Sequence, residues 1–225
     1  LYLSVTGTFG GDLPADRLDA TFGALYADPG ANVFWHLVFM AITTAIVARG
    51  VRGGVERAAR VLMPALFVLL IALAIHAATL PGFDRAIEFV FGFHTERLTS
   101  AGVLEALGHA FFSLSVGMGA MLTYGSYLGG DDDVVGASCW IGLLDTVVAL
   151  GACLVLFPIT FSLGLEPAAG PGLVFKNIPV ALSQLPGGAV WSVCFFVMLT
   201  FAALTSAISL LEVAAAYFID ERGWS

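Results

Sequence analysis

The chain has 225 residues, 59% of them hydrophobic and 12% charged, where a soluble domain carries roughly 45–50% and 25%. So few charges do not wet a globule of this size, and the composition is that of a membrane protein. Nine basic against 17 acidic residues leave a net charge of −8, which excludes a basic footprint for nucleic acid.

The opening LYLSVTG reads as the tail of an apolar helix, and the closing DERGWS stops just past another, so a fragment of a longer protein is expected. A hydrocarbon core takes about 20 apolar residues as a helix. Five segments qualify in chain order: 31–48, 59–80, 103–128, 134–163 and 190–219. Between the first two lies a short loop with Arg49, Arg52, Arg57 and Arg60, which the positive-inside rule puts in the cytoplasm. Pro64 is expected near the start of the second span, where a missing N–H costs least. Alternation then puts 81–100 and the Pro-rich loop 164–188 outside, with the acidic loop GGDDD and the C-terminus inside. One transmembrane domain over 1–225 is expected, broken within the third span near 115–119.

Polar groups inside these spans carry the chemistry. Ser113, Ser115, Gly117 and Gly119 interrupt the third span, and a glycine weakens a helix by about 1 kcal/mol relative to alanine. Unwound backbone at mid-membrane is tolerated where it is buried in protein or lines a cavity, and its carbonyls can hold a cation. Small residues also let a neighbouring helix pack closely, so both readings stand. Asp145 interrupts WIGLLDTVVALG; a carboxylate at the bilayer centre costs about 2.5–3.5 kcal/mol and calls for a cation, a proton or a hydrogen-bonded neighbour. No lysine or arginine lies at that depth. Ala202, Thr205 and Ser206 share one helix face and offer an all-oxygen site, although Ser and Thr also bond their own preceding turn. His109, His36 and His76 read as packing or interfacial residues, and Glu212 near the inner end of the last span takes no firm role. Cys139, Cys153 and Cys194 stand singly, without metal-ligand spacing. No nucleophile–base pair or phosphate-cradling loop is legible, so no enzyme is expected.

These segments carry a resemblance. AFFSLSVGMGAMLTYGSYL resembles the broken sixth helix of the neurotransmitter:sodium symporter family, including its bacterial LeuT-like members. RGVRGGVERAARVLMPALFVLL is similar to the junction of the family's fourth and fifth helices. VALSQLPGGAVWSVCFFVMLTFAALTSAISLLE is similar to its extracellular loop 4 and eighth helix. The match in order and spacing runs from the end of the third helix to just before the ninth. It implies an all-α membrane protein, a partial LeuT-like inverted-repeat bundle with a broken sixth helix.

By the same resemblance, Ser113 and Asp145 contribute to a first sodium site, and Ala202, Thr205 and Ser206 to a second. Phe112 closes over the substrate, Ser113 lies beside the substrate amine, Ser115 offers a backbone contact to that amine, and Met118, Ser206 and Leu210 line the pocket. Tyr127 and Asp220 belong to the cytoplasmic gate. Many relatives place Asn where Asp145 stands and recruit chloride; a carboxylate supplies that charge itself, so chloride independence is expected. The implied function is sodium-coupled symport of an amino acid or related small amine-bearing solute across the cell inner (plasma) membrane, by a multi-pass protein. Sodium ions, a small-molecule substrate and the lipid bilayer are the implied partners, with no nucleic acid and no reading of oligomeric state. The family's first-helix share of both sodium sites is outside these residues, so the 225 residues alone are not expected to transport. Two alternatives stay open: a proton-coupled carrier using Asp145, and a non-transporting truncated membrane subunit.

Overall fold

A computed structural model describes residues 1–6, 15–93, 98–164, 173–185 and 187–223. The described residues form helices and turns without a strand. A short helix, α1 (Tyr2–Val5), precedes α2 (Ala15–Ala27) and α3 (Pro29–Val47). The start of α3 is specified locally: Asp28 caps it, accepting from the Ala31 amide at 3.0 Å, and Pro29 fills the first helical position.

A tight turn follows. Gly50 takes φ 75°, a π-helical turn covers Val51–Val55, and α4 runs over Glu56–Ala78. The two helices close on each other at Gly54, where a Cβ would overlap the Ile46 carbonyl. Pro64 does not sit in a first turn, because the helix extends back to Glu56 and the π-helical turn before it. Its missing N–H therefore falls inside a long helix, a placement that spans tolerate better than soluble helices do.

The connection after α4 holds α5 (Phe83–Phe91), which packs along α8 (Val134–Ser162). Gly82 makes the junction: a Cβ there would stand 2.6 Å from both the Pro158 carbonyl oxygen and the Ser162 amide nitrogen. Its own amide donates to Ser162 Oγ at 3.0 Å, and that hydroxyl donates to the Pro158 carbonyl at 2.6 Å. The Arg85 guanidinium lies 4.5 Å over the Phe161 ring, a cation–π contact.

The third apolar segment is split into α6 (Ser100–Ser113) and α7 (Ala120–Ser126). Asp133 caps α8 through the Gly136 amide at 2.9 Å. In the Pro-rich loop, a π-helical turn (Leu173–Asn177) leads into α9 (Ile178–Ser183), and α10 (Gly188–Asp220) completes the bundle. That loop is part of the core: Ile178, Ala181 and Leu182 are fully buried. They pack with Leu70 and Leu73 of α4, Ile159 of α8 and Phe195 of α10. A smaller cluster of Val55, Leu204 and Ile208, backed by Phe39 and Ile46, ties the α3–α4 turn to α10. Among the described residues four helices are long and apolar enough to cross a membrane: Pro29–Val47, Val51–Ala78, Val134–Ser162 and Gly188–Asp220.

Candidate functional site at the broken helix

The break between α6 and α7 is a backbone feature before it is a chemical one. The chain leaves α6 at Leu114, whose amide still reaches the Ala110 carbonyl at 3.0 Å. Ser115 then adopts φ 55°, and Gly119 φ 76°. Positive φ costs a non-glycine residue, so Ser115 is held there by its surroundings. The amides of Ser115, Gly117 and Gly119 bond to Phe112, Phe111 and Val116 carbonyls at 3.0, 3.1 and 3.3 Å. Among the described residues none donates to the carbonyls of Ser113, Leu114 or Ser115. Three oxygens are thus free at the break.

A carboxylate meets the end of α6 beside this break. Ser113 Oγ donates to Asp145 Oδ2 at 3.0 Å, joining the end of α6 to the middle of α8. Asp145 is half-buried, and apart from Thr146 its neighbours along α8 are apolar. The Ser113 hydroxyl and the Asp145 carboxylate thus meet next to a stretch of unpaired backbone carbonyls, and oxygen donors of these kinds suit a hard cation.

The second oxygen cluster lies on α10. Thr205 Oγ1 and Ser206 Oγ both donate to the Ala202 carbonyl, at 2.9 and 3.2 Å. This is back-bonding to the preceding turn, and it leaves hydroxyl lone pairs available while gathering three oxygens at one point. Ala202 also lines an apolar cavity of about 160 Å³ between α4, α8 and α10.

A hydrogen-bond chain connects α7 to this cluster. Tyr124 OH donates to Ser209 Oγ at 3.0 Å, and Ser209 Oγ donates to the Thr205 carbonyl at 3.1 Å. One turn further in, Tyr127 OH donates to Glu212 Oε1 at 2.9 Å. Glu212 is 5% exposed, the one buried acid among the described residues.

The sequence-derived residues are not all in contact. Ser113 meets Asp145, and Ala202, Thr205 and Ser206 converge. Ser115 and Met118 lie in the turn between the half-helices, both half-buried. Phe112 and Leu210 are exposed, at 66% and 46%. Tyr127 pairs with Glu212 while Asp220 stands exposed at the end of α10. Tyr124, Ser209 and Glu212 were not assigned from sequence. Glu212 had a legible signal, a carboxylate within an apolar run; Tyr124 had none without knowledge of where α7 packs.

The family model described as the sodium:neurotransmitter symporter family matches residues 25–224. The chain belongs to that family. A solved structure titled as MhsT in complex with L-phenylalanine superposes with a TM-score of 0.88 at 43% identity, covering 100% of this chain and 51% of that one. An uncharacterized sodium-dependent transporter of Bacillus subtilis (strain 168) is 41% identical over 201 residues, 88% of this chain and 45% of the relative. A sodium- and chloride-dependent GABA transporter of Drosophila melanogaster is 28% identical over 163 residues, 68% of this chain and 17% of the relative. The chain spans about half the length of the bacterial relative and of the solved structure. The fold is therefore a partial LeuT-like bundle of a multi-pass membrane transporter family, with the break at α6–α7 as its irregular element.

Proposed function

We propose that the protein to which these residues belong is a sodium-coupled symporter of an amino acid or related small amine-bearing solute, working without chloride. The observation that carries the reading is the Ser113–Asp145 hydrogen bond beside three free carbonyls. A carboxylate in that setting needs a counter-charge. No Lys or Arg stands at its depth, and a sodium ion between Asp145, Ser113 and the unwound carbonyls provides one. Ala202, Thr205 and Ser206 would hold a second sodium, sharing α10 with the pocket position Leu210.

Coupling follows from shared groups. The turn of 114–119 carries a sodium ligand at one end and the substrate-facing Ser115 and Met118 within it, so binding of ion and solute each favours the other. Each sodium entering down the membrane potential supplies about 2.3 kcal/mol per 100 mV. Phe112 at the end of α6 would close over the solute, and Tyr127 with Asp220 would guard the cytoplasmic side. The MhsT complex with L-phenylalanine supports an amino acid as the solute. A fixed negative charge at Asp145 supports chloride independence, in contrast to the chloride named for the Drosophila relative.

The test is uptake of a panel of amino acids into proteoliposomes by the natural full-length protein, under an inward sodium gradient, equal potassium, or a pH gradient. Sodium-driven uptake that persists when chloride is replaced by gluconate is expected. Uptake driven by the pH gradient and indifferent to sodium would instead assign Asp145 to a proton carrier.

A further inference from the structure

Hydroxyl groups gather on one stretch of α10. Thr205 and Ser206 turn their protons back onto the Ala202 carbonyl, and Ser209 turns its own onto the Thr205 carbonyl. Such back-bonding uses the proton of each hydroxyl and leaves its lone pairs to accept. At Thr205 and Ser206 those lone pairs belong to the oxygen cluster read above as a sodium site. At Ser209 one of them is taken by another element, because Tyr124 OH of α7 donates to it at 3.0 Å. The order of protons follows from the far end. A carbonyl only accepts, so the Ser209 proton lies on the Thr205 carbonyl and the phenol supplies the other bond.

Tyr124 and Ser209 are both half-buried, where a hydroxyl deprived of its partner is costly. Tyr127 and Glu212 repeat the contact three residues further along each helix. The step has the same sense on both, about 4.5 Å along each axis, so α7 and α10 lie side by side with one polarity. The two contacts differ in where they end. Tyr127 stops at a side chain, whereas the Tyr124 relay reaches the backbone of Thr205, whose own hydroxyl stands in the oxygen cluster. Donors in series strengthen one another, and the phenol holds the Ser209 hydroxyl in the rotamer that serves that carbonyl.

We propose that Tyr124 and Ser209 are positioning residues of the second sodium site, holding the 202–206 turn of α10 in the geometry that binds the ion. Neither is itself a ligand, and the inference rests on the reading of Ala202, Thr205 and Ser206 as sodium ligands. A hard cation gives up its water only for oxygens already in place. Here three of those oxygens come from a single helical turn, so the shape of that turn sets the affinity. Loss of the Ser209 hydroxyl removes a donor from the Thr205 carbonyl, and loss of the Tyr124 hydroxyl releases Ser209 and unties the turn from α7.

Equilibrium binding of radiolabelled sodium to the purified natural full-length protein tests it, read at the site that Thr205→Ala weakens and beside the melting temperature of each variant. Tyr124→Phe and Ser209→Ala are each expected to raise the sodium half-saturation about threefold to fivefold, as for the loss of one hydrogen bond. Ser209→Thr keeps a hydroxyl and is expected to bind sodium like the unsubstituted protein. In a Thr205→Ala background Tyr124→Phe is expected to add nothing, because both changes act on one site. Unchanged half-saturation in Tyr124→Phe and Ser209→Ala beside a weakened Thr205→Ala overturns the positioning role and leaves the sodium reading standing. Unchanged binding in Thr205→Ala overturns both. Losses that add in full in the double variant, or that track melting temperature without rescue in Ser209→Thr, reduce the contact to packing and overturn the proposal.

Discussion

Asp145 receives one side-chain hydrogen bond among the described residues, from Ser113. A hydrogen bond to a charged group is worth about 1.5–3 kcal/mol, which barely meets the insertion cost of a mid-membrane carboxylate, and the sodium proposed here makes up the difference. Ser115 raises a separate question, since its φ of 55° is a glycine conformation held by a serine. Ser115→Gly is predicted to keep or raise thermal stability in detergent. Ser115→Val is predicted to lower it by about 1–2 kcal/mol, because branching at Cβ aggravates left-handed backbone. A Val variant as stable as wild type would contradict the strain. At the C-terminal end of α7, Tyr127→Phe strips a buried carboxylate of its donor and is predicted to cost about 1–3 kcal/mol. Glu212→Gln, which keeps an acceptor for Tyr127, should lose less; the reverse order of melting temperatures would contradict the pairing. Asp145 was legible in the sequence because a lone carboxylate in an apolar run announces its cost. Its partner Ser113 was legible only through the family resemblance, since a serine beside glycines also reads as a packing residue.

At the scale of elements, the long apolar helices follow from hydropathy alone, as the lipid leaves few alternatives to a helix. The π-helical turns, α5 and α9 do not. They lie in polar connections, where short amphipathic stretches resemble loops, and the burial of Ile178 and Leu182 depends on partners far away in sequence. Pro64 shows the same limit: its position in the helix was set by how far back α4 extends, which a hydropathy window does not resolve. Close approaches are also invisible to composition. Gly82→Ala is predicted to push α5 off α8 and cost at least about 2 kcal/mol, because the added Cβ meets backbone atoms at 2.6 Å. Gly151→Ala, whose Cβ meets only the end of the Leu70 side chain at 3.0 Å, should be far milder. Equal losses in the two variants would contradict that difference.

At the scale of the whole molecule, the chain spans about half of the proteins it matches, and its surface fits that proportion. α6 buries none of its residues, Phe112 and Leu210 are exposed, and Asp145 and Thr205 are half-buried. The hydrogen-bond chain through Tyr124 and Ser209 joins α7, the second half of the broken helix, to the Thr205 carbonyl of α10. The claim on which the account turns is that Asp145 is a sodium ligand. The direct measurement is the sodium half-saturation of amino-acid uptake by the natural full-length protein carrying Asp145→Ala, compared at matched protein abundance with the unsubstituted protein. A rise of about tenfold or more, the loss of at least about 1.4 kcal/mol of ion binding, is predicted. An unchanged half-saturation would contradict it.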